Sequence, residues 1–509
     1  MHHRRTRAGL VTLALIVAGP ASAVAAPNNN NVAKLTKAVT VGGIHEHLDA
    51  LQAHADANGG NRFAGFPGHI ASSQYVYERA RAAGYDVHFQ NFEYEAAEDL
   101  SSLTKTLPLP ARTYTRGIFS EFAGDDESPE GDVTSALYAV DLVIPSIGGS
   151  TSGCEPADFT NANFVAGSIA LVQRGTCPFL DKVNNAAAAG AGAVILMNEG
   201  NAPDRSDLDF DPIIAGATIP VAAASFPAGR ELANGATHGP TGTTVHLKVD
   251  FLRQTLTTRN VIADSVDGKG GSIDNTVVVG AHLDSVIDGP GINDNGSGSA
   301  TILEIAEQMA KVKPRNHVRF IWFSGEESGL LGSEYYVSQL SEEELGQIAA
   351  MLNFDMVASP NFARFVYDGS DEGAPDGSGA IEDVFNDYLA SRGLAFEPTP
   401  FDGRSDYGPF IAKGIPAGGL FTGAEGVKTP EQVLLYGGVA GVAYDHCYHR
   451  ACDTIANVND TALDQMSDAA AAAVITLAQS TTSINGVRGK GNFKPKNGRE
   501  LLTGPPSKR

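Results

Sequence analysis

The chain has 509 residues, too many for one ordinary domain, and predicts two or three. Hydrophobic residues make up 42% of it, enough for sizeable cores. The formal charge is −23, with acids and bases mixed along most of the chain, which argues against a nucleic-acid binder, since that needs a basic face for phosphates.

The first residues read as an export signal over 1–25. Arg4, Arg5 and Arg7 form a positive start, and Leu10 to Ala18 is a short apolar stretch. Ala21-Ser22-Ala23 and Ala23-Val24-Ala25 both fit a small-x-small cleavage site. The apolar run is too short to span a bilayer, and no later stretch is long and apolar enough. The expectation is a secreted, extracellular protein without membrane contact. A frayed N-terminal helix is the competing reading of the same residues.

Residues 26–35 are Asn-rich and read as disordered. Ala71 to Ala83 has the apolar spacing of a helix, Gly84 ends it, and Tyr85 to Phe92 reads as a strand. Residues 100–135 are rich in Pro, Ser, Gly and acid and read as a connection. A small unit follows, with strands at Ile169–Val172, Ala193–Leu196 and Ile219–Ala223 and an Ala-rich helix over 182–190. Pro220 suits an edge or a first strand position. From about 250 the pattern becomes strand, loop, helix: strands at Thr276–Gly280, Val318–Phe323 and Leu352–Met356, and a helix at Ala300–Val312. That alternation predicts an α/β fold with a mainly parallel sheet covered on both faces. The tail over 486–509 carries seven Lys or Arg and one Glu, and reads as flexible.

Cys154, Cys177, Cys447 and Cys452 are the four cysteines. An even number in an exported chain predicts two disulfides. Connectivity cannot be read from a sequence, but short spacing favours Cys447 with Cys452, leaving Cys154 with Cys177. No Cys-x-x-Cys pair is present, which argues against a thiolate metal site.

The residues that carry chemistry cluster at predicted strand ends. His282 and Asp284 follow a Val and Gly run, Asp294 lies in the turn Gly291–Gly296, Glu326 and Glu327 follow the strand ending at Phe323, and Asp355 ends the next strand. In a parallel sheet, ligands bind beyond the carboxyl ends of strands, so these segments converge on one crevice. His449 sits much later, between Cys447 and Cys452, and nothing local shows that it arrives there. Two His and three carboxylates are a donor set for two zinc ions, with one carboxylate bridging. Singly, each residue is more often a solvated or structural group; the weight lies in their common position. His45-Glu46-His47 is not a His-Glu-x-x-His motif, and no Gly-x-Ser-x-Gly elbow, Walker loop or dinucleotide fingerprint is present.

At these residues the sequence resembles the M28 family of metallopeptidases, particularly its secreted bacterial aminopeptidases. The matching stretches are Gly280–Ser285, Gly291–Gly298, Gly325–Glu327, Asn353–Met356 and Cys447–His449, in the family's order, with Asn58–Arg62 similar to its first segment. The likeness covers about 35–105 and 250–482.

The resemblance implies His282 and Asp355 on one zinc, Glu327 and His449 on the other, and Asp294 between them. It implies Glu326 as general base and Tyr448 as donor to the oxyanion. It implies Arg404 as a substrate-positioning residue, and Met356 and Phe421 as lining for the N-terminal side chain. Asp464 and Asp468 resemble half of a calcium site in some relatives; the N-terminal Asp that completes it is not found.

Gly167–Gly175 followed by Cys177-Pro178-Phe179 resembles a protease-associated (PA) domain, small, β-rich and α+β, inserted in the peptidase domain. The expected peptidase domain is therefore split, with a leading segment at 35–108 and a longer one at 250–482, and the PA domain lies between them at 110–245. The implied reaction is removal of an N-terminal residue, of apolar side chain, from peptides or proteins by a monomer. The rivals are a carboxypeptidase of the same superfamily, a glutaminyl cyclase using one zinc, and a metal-free binding protein of the same fold.

Overall fold

The computed structural model describes residues 28–486, apart from 118, 146–148, 202–204, 209, 211, 267–271 and 372. The expected signal peptide and nearly all of the basic tail lie outside the described residues. No described helix is long and apolar enough to cross a membrane.

In chain order the strands are β1 (Asp86–Asp99), β2 (Ser102–Leu107), β3 (Arg112–Thr113), β4 (Phe122–Gly124), β5 (Gly131–Ala139), β6 (Ile169–Gln173), β7 (Ala193–Met197), β8 (Val221–Ala224), β9 (Gly239–Val249), β10 (Phe251–Asp264), β11 (Ser272–His282), β12 (Asn316–Phe323), β13 (Ile348–Phe354), β14 (Phe365–Tyr367), β15 (Glu397–Thr399) and β16 (Ala417–Phe421). They form two mixed sheets. The first has the order β1-β10-β12-β11-β13-β16-β14-β15. Its centre, β12-β11-β13-β16, is parallel, while β1 and β10 pair antiparallel and β14 runs antiparallel to β16 but parallel to β15.

Period-2 alternation explains why both faces of this sheet are covered. Val277, Val279, Phe320 and Trp322 face a core shared with the helices Gly298–Gln308 and Asp460–Gln479. Val278, Ile321, Phe323 and Met351 face a second core with Tyr336, Phe410 and Ile411. The helix Pro67–Ala83 starts with Pro at its first position and ends at Gly84, whose φ of 95° closes it in the left-handed region.

The second sheet has the order β3-β2-β9-β5-β6-β7-β8-β4. Its helices Phe179–Ala188 and Phe226–Ala233 cover opposite faces, each with its own apolar core. Pro220 lies just before β8, so no ladder donor is lost although β8 pairs on both sides.

The two units join through one ribbon. β1 and β10 pair over their whole length, from Asp86 opposite Asp264 to Asp99 opposite Phe251. The second sheet therefore begins at Ser102 and ends at Val249. The expected changeovers near 108–110 and at 245 fall inside it, in the β2–β3 hairpin and in β9. Pro108 and Pro110 mark a turn, and turn chemistry looks the same at a hairpin as at a domain border.

Three other expectations are corrected. The supposed connection over 100–135 holds β2, β3, β4 and the start of β5, short strands with too few apolar residues to show a period. The Asn-rich start is tied down instead: Asn29 is buried and donates to the Gln308 carbonyl at 2.8 Å, and Asn31 caps the helix Val32–Ala38, whose Leu35 is fully buried. The strand expected to reach Met356 stops at Phe354, leaving Asp355 and Met356 just beyond it.

Candidate metal centre

β11 lies between β12 and β13, all parallel, so three carboxyl ends stand side by side. His282 is the last residue of β11, Glu326 and Glu327 follow β12, and Asp355 follows β13. Asp294 comes from the irregular π-type turn Ile292–Ser297 that leads into the helix Gly298–Gln308; its peptide to Asn295 is cis. His449 comes from the ring closed by the Cys447–Cys452 disulfide. The second disulfide joins Cys154 to Cys177. Both follow the pairing that the spacing favours.

All six of these side chains are buried, and they meet. Asp294 turns one oxygen toward each imidazole: Oδ1 is 3.2 Å from His282 Nε2 and Oδ2 is 3.2 Å from His449 Nε2. Asp355 Oδ1 lies 3.3 Å from His282 Nε2, and Glu327 Oε2 lies 2.9 Å from His449 Nε2. Glu326 Oε2 is 3.9 Å from His282 Nε2. The result is two adjoining donor groups, His282 with Asp355 and His449 with Glu327, sharing Asp294.

Their electrostatics are those of a centre built for cations. Burial lowers the His449 pKa, but Glu327 and Asp294 outweigh it and raise it to about 9. Burial likewise opposes charge on His282, yet Asp355, Glu326 and Asp294 lift it well above the ordinary value. Burial works to raise Asp294, and the two imidazoles facing its oxygens hold it well below the usual carboxylate range. A bound dication would balance these carboxylates in place of protons on the imidazoles. The fit is supported by atoms without hydrogen-bond partners: Nε2 of both imidazoles, both oxygens of Asp294 and Glu327, and Oδ1 of Asp355. Buried polar atoms left so are costly unless something else binds them. Imidazole and carboxylate donors in this ratio suit zinc.

A surrounding layer fixes these groups. Asp284, a strand-end candidate to which the resemblance gives no ligand role, accepts the backbone N–H of Glu326 and of Glu327, each at 3.4 Å, and burial lifts it to about 6. Ser405 donates to Asp355 Oδ2 at 2.5 Å. Asp453 accepts the N–H of Asn293 at 2.9 Å and of Asp294 at 3.0 Å. Asn295 Oδ1 accepts from Gly298 N at 2.9 Å and Met356 N at 3.2 Å, tying the turn to the end of β13. Arg62, fully buried, donates to the carbonyls of Leu283, Pro290 and Gly291. Arg62 stands in the Asn58–Arg62 segment that carries the family likeness; Asp453 gives no signal beyond its nearness to His449.

The remaining candidates border the centre. The Tyr448 ring stacks on His449 with centroids 3.8 Å apart, and Arg404 Nη2 donates to its hydroxyl at 3.4 Å. Arg404 is anchored by Glu425 at 2.6 Å. Met356, Ala424 and Tyr448 form a small apolar cluster, with Phe421 and Phe119 packed against it. Asp464 and Asp468 lie on the Asp460–Gln479 helix, where Asp468 accepts the Tyr388 hydroxyl at 3.2 Å. Among the described residues, no third acid, imidazole or thiol joins them as a metal-capable group.

Peptidase family M28 matches residues 260–474, and the PA domain family matches residues 137–232. An aminopeptidase of Pseudomonas aeruginosa is 46% identical over 462 residues, spanning 89% of this chain and 83% of that protein. Leucine aminopeptidase 2 of Trichophyton rubrum is 39% identical, spanning 85% and 83%. Among solved structures, the aminopeptidase from Aneurinibacillus sp. strain AM-1 aligns with a TM-score of 0.64 at 27% identity, covering 91% of this chain and 98% of that one. The zinc aminopeptidase BSAP from Bacillus subtilis aligns with a TM-score of 0.62 at 26% identity, covering 88% and 98%.

Proposed function

We propose that this chain, which belongs to peptidase family M28 and is a metallo-aminopeptidase with a PA domain, is exported and removes apolar N-terminal residues using two zinc ions. His282 and Asp355 would hold one ion, His449 and Glu327 the other, and Asp294 both. The observation that carries the reading is the pair of Asp294 oxygens, each facing a different imidazole at 3.2 Å. A site for one ion does not need that arrangement.

Two zinc ions, when bound, would polarise the scissile carbonyl and lower the pKa of a water toward neutrality. Glu326 takes the proton of the attacking water on its carboxylate and later passes one to the leaving amine. Tyr448 donates its hydroxyl to the oxygen that gains charge, where fixed donors matter most. Arg404, held by Glu425, keeps that hydroxyl in place. The buried carboxylates of the centre favour a free, positively charged α-amine over a blocked one. Met356 and Phe421 offer an apolar surface to its side chain. Export is supported by the leader pattern over 1–25 and by two disulfides, which persist in oxidising compartments.

The test is a substrate panel. Leucine 4-nitroanilide should be hydrolysed, its N-acetyl form should not, and no C-terminal residue should be released from a peptide. Release of a C-terminal residue, or equal cleavage of the acetylated anilide, would contradict the proposal.

A further inference from the structure

We infer that Phe119, carried by the inserted PA unit, forms one wall of the pocket for the N-terminal side chain and sets its size. The inference rests on the proposed pocket at Met356 and Phe421 and names the residue that closes it.

Phe119 lies between β3 and β4, in the second sheet's unit, yet its ring packs on the catalytic side of the first. It meets the Tyr448 ring edge-on at 5.5 Å and the His449 ring at 5.9 Å. It joins Phe421 against the buried Met356, Ala424 and Tyr448. Four of these five come from the peptidase body: Met356 just after β13, Phe421 at the end of β16, Ala424 after it and Tyr448 in the disulfide ring. Phe119 alone arrives from the other unit.

Its position is held from both sides. Its N–H donates to the Leu208 carbonyl at 2.8 Å within the PA unit. The Arg450 guanidinium lies 5.6 Å from its ring centroid and reaches Asp207, next to Leu208, at 3.4 Å. Its φ is 58°, in the left-handed region, unfavourable for a residue with a large side chain. Such a conformation persists only where the surroundings over-determine it, and it is concentrated at ligand clamps and active sites. A ring fixed in this way, beside the tyrosine proposed to face the oxyanion, gives the pocket a rigid limit.

The experiment compares kcat/KM for leucine and phenylalanine 4-nitroanilides in the wild type, Phe119→Ala and Phe119→Trp, with zinc content measured on each. Phe119→Ala should lower the leucine-to-phenylalanine ratio about tenfold, the low end of what one methylene is worth in an apolar pocket. Phe119→Trp should raise it. A merely structural role would lower both substrates alike. If Phe119→Ala does not fold, Phe119→Leu carries the test and should shift the ratio in the same direction by a smaller factor. A wild type that prefers leucine, with ratios in the variants unchanged within about twofold, would overturn this inference and leave the proposed function standing. A wild type that cleaves neither anilide would overturn the function, and the inference with it.

Discussion

Asp453 holds the backbone of Asp294: its Oδ2 accepts the Asp294 N–H at 3.0 Å while its Oδ1 accepts that of Asn293 at 2.9 Å. Both carboxylate oxygens are needed, because two adjacent amides point at them. Asp453→Asn keeps the shape but turns an NH2 toward one of these donors. A buried donor left unsatisfied costs about 1–3 kcal/mol. The zinc affinity should fall on the order of 10- to 100-fold, as for other outer supports of metal ligands. Competition with a zinc chelator measures it, and unchanged affinity would show that Asp294 does not depend on this support.

Arg62 should be as important to stability as to the site. Its guanidinium serves three carbonyls, two of them in the segments that carry His282 and Asp294. Arg62→Met should destabilise the chain by roughly 3 kcal/mol or more, since hydrogen bonds from a charged donor are worth about 1.5–3 kcal/mol each. Arg62→Lys should recover less than half, because one ammonium cannot reproduce the fork. Urea unfolding of the three proteins checks this, and a loss under about 1 kcal/mol for Arg62→Met would contradict it.

The Cys447–Cys452 disulfide closes a ring around Tyr448 and His449. Replacing both cysteines with Ser should lower turnover on the order of 10- to 100-fold by loosening His449, the proposed ligand. Replacing Cys154 and Cys177, which lie in the PA unit, should leave turnover of a small anilide within about threefold while costing about 3 kcal/mol of that unit's stability. The two double variants assayed side by side decide it: equal losses would remove the special role given to the ring.

The proposed function gives the neighbours Glu326 and Glu327 different work. Asp284 accepts both of their amides, so the loop after β12 turns the pair toward one centre. Glu326→Gln should keep near-normal zinc and lose roughly a hundredfold or more in turnover, the scale of a positioned acid–base group. Glu327→Gln should lose zinc. Zinc content and turnover on both variants check the assignment; the opposite pattern would exchange the roles, and two fully active variants would remove both.

What the sequence shows, and what it hides, follows from range. His282, Glu326, Glu327 and Asp355 are legible because each sits at or just past a run of buried strand residues, and parallel strands bring such ends together. Tyr448 and His449 are placed by resemblance alone, since nothing local ties a disulfide ring to a strand end far upstream. Asp453 acts on backbone amides, which leave no side-chain pattern to find; Asp284 stands out as an acid at a strand end, but its hold on two amides does not show. Phe119 lies in a Pro-, Ser- and Gly-rich stretch where short strands show no period, so that stretch reads as a connection. The helix Val32–Ala38 is hidden for a related reason: its single buried residue, Leu35, is too little for a periodic signal.

One centre with two ions fixes the zinc-to-protein ratio, and that ratio, measured on the folded, purified chain, is the direct test. After dialysis against buffer holding free zinc in the nanomolar range, elemental analysis should find two zinc ions per chain, and Asp294→Ala should reduce both. One zinc per chain in the wild type, or two that persist in Asp294→Ala, would contradict it.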